Sequence, residues 1–208
     1  VLHQWLKILS THNNGDAVAK LRQFLLTEDP TLARFTLFAE AEKLLTDKKQ
    51  GQAITLWQTI NEQSPRQDFK IRALLKLARH DNSSSETYFK QALELAANKD
   101  SVKVNVLQQR AWQYRKTAQL QEAYQDFLQA AELSIEAKHK QQFYELAGDT
   151  FFDAKQQLPL AIQAYEQALQ IEKTDSLLYR YALCQWENQT YPAALQAFRL
   201  AFKQRNDD

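Results

Sequence analysis

"LPLAIQAYEQALQIE", Leu158 to Glu172, sets small residues at Ala161, Ala164 and Ala168 against rings or aliphatics at Ile162, Tyr165, Leu169 and Ile171. Spacings of three and four place the small residues on one face of a helix. With Ala161 as anchor, the order is small, then aromatic or large four residues on, then small or apolar seven on. The chain does this again. "AALQAFRLAF" gives Ala194, Phe198 and Ala201, and "EAYQDFLQAA" gives Ala123, Phe127 and Ala130. "SETYFKQAL" gives Ser85, Phe89 and Ala92, and "QAITLWQTI" gives Ala53, Trp57 and Ile60. "DAVAKLRQF" gives Ala17, Leu21 and Phe24.

Successive anchors lie 36, 32, 38, 38 and 33 residues apart. A period near 34 marks a helix–turn–helix repeat array, because one helix pair cannot bury its apolar face alone and stacked neighbours bury it together. Two residues before the anchors stand Gly15, Gly51, Ser83, Gln121, Pro159 and Pro192. This position is read as turn chemistry opening the second helix of each pair. Pro30 and Pro65 fall where a second helix should stop. Alanines allow close approach of helices, and the aromatics fill the space between layers.

The totals agree with an all-α chain. Three Gly and four Pro in 208 residues cannot supply the turns of a sheet protein. The predicted helices run roughly over 1–11, 15–27, 31–48, 51–63, 66–80, 84–98, 101–117, 120–136, 138–156, 159–172, 175–189 and 191–204. Ser84 or Ser85 is expected to cap the helix after the Asp81–Glu86 turn. A net charge of +1 argues against a general nucleic-acid surface. No apolar run approaches the ~18 residues of a membrane span. The chain opens at Val1 and contains no Met, so it is expected to be a processed protein or an excised segment.

These residues resemble the tetratricopeptide repeat family. In the fifth unit Tyr144, Ala147, Gly148 and Phe151 match the first-helix positions, and Ala161, Tyr165 and Ala168 match the second, with one extra residue between the helices. The fourth unit, Leu107, Ala111 and Tyr114 leading to Ala123, Phe127 and Ala130, is similar. The resemblance implies a right-handed α-solenoid of about six antiparallel helix pairs. It implies one superhelical domain over 1–208, with degenerate repeats to about 100 and clearer ones over about 101–204. In that family the first helices line a concave groove that holds an extended peptide or a partner helix.

No catalytic constellation is present. There is no Gly-Lys-Ser/Thr phosphate loop, Gly-x-Ser-x-Gly elbow or His-Glu-x-x-His pair. His3, His12, His80 and His139 are scattered, and Cys184 reads as a small buried hydrophobe. Asn82-Ser83-Ser84 and Asn188-Gln189-Thr190 fit the glycosylation triplet, which carries meaning only in a secreted eukaryotic setting. The chain is therefore expected to be a non-enzymatic scaffold with no cofactor and no metal, binding a protein or peptide. A rival expectation makes it the helical accessory segment of a larger bacterial envelope machine, of polysaccharide-export or cell-wall lytic type. The Gln-, Lys- and Asn-rich composition leans toward a bacterial source. The expected setting is the cell envelope or periplasm, with the cytoplasm as the alternative.

Within the expected groove, Arg72, Lys76 and Arg79 form a basic stripe on one first helix. Glu145, Asp149 and Asp153 form an acidic stripe on another, although like charges four apart cost a helix a few tenths of a kcal/mol (~0.2–0.5) per pair. Trp112, Tyr179 and Trp186 are the expected aromatic anchors. A groove basic at one end and acidic at the other would select a partner of opposite polarity. Asn105 stands near a position that holds a terminal carboxylate in the resembled family, but Gln108 and Gln109 do not complete that set. Leu195, Phe198 and Phe202 are expected to lie on an apolar terminal face open to self-association.

Overall fold

A computed structural model describes residues 15–207. The helix expected over 1–11, with His3 and His12, lies outside the described residues. Eleven helices follow in the described part: α1 Gly15–Glu28, α2 Pro30–Thr46, α3 Gln50–Gln63, α4 Gln67–His80, α5 Ser85–Leu95, α6 Asp100–Lys116, α7 Leu120–Leu133, α8 Ala137–Phe152, α9 Leu158–Ile171, α10 Asp175–Glu187 and α11 Tyr191–Asp207. No strand occurs among the described residues. Two compact units make up the chain, Val1–Ala96 and Ala97–Asp208. The division falls between the degenerate and the clear repeats. Within each unit every helix packs on the one before it, the arrangement of an all-α solenoid.

The repeat positions behave as the period requires. Ala53, Trp57 and Ile60 are fully buried, as are Ala123, Phe127 and Ala130, and Ala161, Tyr165 and Ala168. Gly148 shows why one position must be small: a Cβ there would lie 2.7 Å from Cε1 of Tyr165. The first unit departs from its expected register. Phe24 is exposed, while Val18 and Leu25 are buried seven residues apart. The apolar face is thus shifted by one residue from the Ala17-based frame, because Leu25 and Leu26 outweigh a single ring in filling the core against Leu37 and Trp57.

The turns also differ from expectation. Among the described residues no glycine takes a positive φ. Gly51, Gln121, Pro159 and Pro192 each lie second in their helix, where a missing or unpaired N–H costs nothing. The chain reverses instead at Lys48 (φ 58°), Ala118 (φ 60°) and Gln189 (φ 63°), each one residue past a first helix's C-cap. The amide following each donates five residues back: Lys49 to Leu44 at 2.7 Å, Gln119 to Tyr114 at 2.9 Å and Thr190 to Gln185 at 2.9 Å. That is the Schellman closure, which satisfies carbonyls the helix end leaves open. The extra residue in the fifth unit is absorbed by two left-handed positions, Lys155 and Gln157.

Side-chain caps appear where the chain enters α2 and α10. Asp29 accepts from the Leu32 amide at 2.9 Å, and Thr174 accepts from the Leu177 amide at 3.3 Å. Ser84 occupies the N-cap of α5, but its hydroxyl makes no capping bond. Asp81 holds that turn instead, accepting from the Ser83 amide and hydroxyl.

Candidate functional site

The first helices of the second unit are α6, α8 and α10. Between α6 and α8 lies an open groove of about 520 Å³. Val104, Phe143 and Leu146 give it an apolar floor, and Asn105, Gln108 and Gln142 bring carboxamides to its walls. Repeat geometry places them there: Asn105 and Gln108, three apart, share one face of α6, and Gln142 and Leu146, four apart, share one face of α8. Gln109 donates to the Asn105 carbonyl oxygen at 2.6 Å, which leaves the Asn105 amide nitrogen oriented as a donor. The turn before α8 closes one end with Ile135, 97 % exposed. Glu136 and His139 stand 3.2 Å apart there, an ion pair when the imidazole is protonated. The groove lining contains no Lys or Arg. Asn105 and Gln108 stand out in the sequence, whereas Gln142 does not, because neighbours across two helices leave no mark in local spacing.

The basic stripe belongs to the first unit. The Arg72 guanidinium stacks 4.4 Å above the Phe38 ring, and the Lys76 ammonium pairs with Glu42. Arg79 is exposed in the last turn of α4. The acidic stripe belongs to the second unit and is not a wall of presented carboxylates. Asp149 is only 9 % exposed; it accepts from the Tyr165 hydroxyl at 2.6 Å and pairs with Arg180. Asp153 pairs with Arg115 at 2.7 Å. Glu145 is half-buried, and burial, then the nearby Asp149 charge, raise its carboxyl above the usual range. Four-residue spacing put these acids on one face correctly; it could not show that Tyr165, Arg180 and Arg115 arrive at that face from three other helices.

The aromatic anchors separate. Trp112 is half covered: its ring meets Phe127 edge-on at 5.5 Å and lies 4.9 Å from the Arg115 guanidinium. Trp186 is exposed and meets Tyr191 edge-on at 4.9 Å beside the α10–α11 turn. Tyr179 belongs to the outer face of α10 and α11, where it meets Phe198 edge-on at 5.6 Å. Cys184 is fully buried, and burial pushes its thiol up to about 12. Among the described residues no group of His, Cys, Asp or Glu is arranged to hold a metal ion. No described helix is long and apolar enough to cross a membrane.

No protein-family model matches the chain, and no curated protein matches it. Solved structures do. The crystal structure of BtubC (BKLC) from P. vanneervenii superposes with a TM-score of 0.60 at 12 % identity, covering 93 % of this chain and 89 % of that one. MamA 41-end from Desulfovibrio magneticus RS-1 superposes with a TM-score of 0.55 at 14 % identity, covering 83 % and 94 %. At such identities the likeness is one of fold: a helical-repeat solenoid.

Proposed function

We propose that this chain is a non-enzymatic interaction scaffold of tetratricopeptide type, which holds an extended, uncharged peptide segment in the groove between α6 and α8. One observation carries the reading: Asn105, Gln108 and Gln142 stand together over an apolar floor with no Lys or Arg in the lining. A carboxamide both donates and accepts, so it matches the alternating N–H and C=O of an extended backbone. The floor of Val104, Phe143 and Leu146 takes one apolar side chain as anchor. This replaces the charge-bipolar partner expected from the stripes, since Asp149 is buried against Tyr165 and Arg180 and Asp153 is paired at the surface with Arg115. The absence of any nucleophile–base pair or phosphate loop in the sequence supports the non-enzymatic part of the reading.

A displayed peptide library selected on the whole chain tests it. Enriched segments should be poor in charge, carry a spaced aliphatic or aromatic residue, and lose affinity about 10-fold or more against the Gln108→Ala/Gln142→Ala variant. Both side chains lie on the surface of their helices, so that variant keeps the fold. Segments that bind the variant as tightly as the parent would refute the groove as the site.

A further inference from the structure

The end of the α6–α8 groove formed by the turn into α8 differs from the rest of its lining. The turn is extended, with ψ 123° at Ser134 and 124° at Glu136. Ile135 between them is 97 % exposed, an aliphatic side chain in water beside the apolar floor. Glu136 is the only carboxylate in the lining, and its side chain is 72 % exposed. It occupies the N-cap of α8, yet its carboxylate accepts no capping bond from that helix. Its partner among the described residues is His139, whose Nδ1 faces Oε2 at 3.2 Å. A pair this exposed holds weakly, so a cation brought by a ligand competes for the carboxylate at little cost.

The surrounding charges leave Glu136 to set the sign of this end. Lys138 and Lys140 lie on α8 at positions outside the lining, and Lys103 on α6 pairs with Asp100 at 3.6 Å. A carboxylate next to an exposed aliphatic side chain matches the two parts of a basic residue. The methylene stem of Lys or Arg covers apolar surface while its charged head pairs with the acid.

We infer that the peptide segment held in the groove runs on, at the Ile135 end, into one Lys or Arg. The stem of that residue lies on Ile135 and its head pairs with Glu136. The uncharged part crosses Asn105, Gln108 and Gln142, and one end alone meets a charge, so Glu136 also fixes the direction in which the segment lies. The inference rests on the reading of the groove as a peptide site and adds the partner class: an uncharged segment with an apolar anchor and a basic residue to one side of it.

Displayed peptide libraries selected in parallel on the whole parent chain and on its Glu136→Lys variant test this. Segments from the parent should carry Lys or Arg at a fixed spacing on one side of the apolar anchor. Replacing that residue by Glu should weaken binding about 5-fold or more, and the Glu136→Lys chain should recover most of the loss. Ile135→Ser should weaken the basic segments about 3-fold and leave their Ala-substituted versions unchanged. Both side chains are more than half exposed, so both variants should keep the parent circular-dichroism spectrum. Segments that depend on Gln108 and Gln142 but show no basic preference, or whose basic residue is indifferent to Glu136→Lys, overturn this inference and leave the groove reading standing. Segments indifferent to Gln108→Ala/Gln142→Ala overturn both.

Discussion

Replacing Gly148 by Ala adds one methyl group where α8 lies close against the Tyr165 ring of α9. The new Cβ would lie 2.7, 2.8 and 2.9 Å from Cε1, Cδ1 and Cζ of Tyr165. Ordinary carbon contacts sit near ~3.5–4.0 Å, so α8 and α9 must part, or the ring must tilt, by about 0.8 Å. The ring has little freedom to give. It is fully buried, and its hydroxyl donates to Asp149 at 2.6 Å, which Arg180 holds from α10. Overpacking of this kind costs about 1–3 kcal/mol. Breaking the bond to the buried carboxylate adds about 1.5–3 kcal/mol if the ring moves instead of the helix. Alanine's better helix propensity offsets about 0.8–1 kcal/mol. The expected net loss is about 0–2 kcal/mol if the helices part and about 1.5–5 kcal/mol if the ring moves, read by urea denaturation followed by circular dichroism. Gly51→Ala is the internal control: nothing lies within 4 Å of its Cβ, so it should be neutral or slightly stabilising. In a Tyr165→Leu background most of the Gly148→Ala penalty should vanish. The reasoning fails if Gly148→Ala behaves like Gly51→Ala, or if its cost is the same with and without the Tyr165 ring.

Ala118→Gly should stabilise the protein by about 0.5–1 kcal/mol in the same denaturation assay, because Ala118 holds φ 60° and a Cβ makes that conformation costly; a loss of stability would show that the turn is not strained. The Cys184 thiol should resist a thiol reagent at pH 8 and react fully once the chain is unfolded in guanidinium, since it is fully buried and its ionisation is pushed up to about 12. With an ordinary value of 9.0, the folded thiol keeps a proton that the unfolded thiol releases, so this contribution to stability is complete below pH 9 and is lost as pH rises from 9 toward 12. Cys184→Ala should therefore flatten the alkaline fall in stability, and an unchanged pH profile would count against the assignment.

The order of small and large residues was enough to establish an all-α repeat array and to place most helices, because burial in stacked pairs imposes a 3.6-residue face and a period near 34 on the sequence itself. The Ala161, Tyr165 and Ala168 face could be read directly, and so could the exposed Leu195 and Phe202. In α1 the same rule slipped by one residue, since Phe24 and Leu25 are adjacent and both apolar, and only the core they face decides between them. The left-handed turns left no sign in the sequence: Lys48, Ala118 and Gln189 share no chemistry, and the backbone takes that shape to satisfy the carbonyls of the helix before it. The acidic stripe was legible as a face but not as a set of bonds. Asp149 meets Tyr165 and Arg180, 16 and 31 residues further along the chain, and local spacing cannot report what another helix brings. The groove follows the same rule, for Asn105 and Gln142 become neighbours only when α6 and α8 lie side by side. Sequence sets which face each helix buries; tertiary packing decides which of the remaining polar groups are used up inside the fold and which are left for a partner.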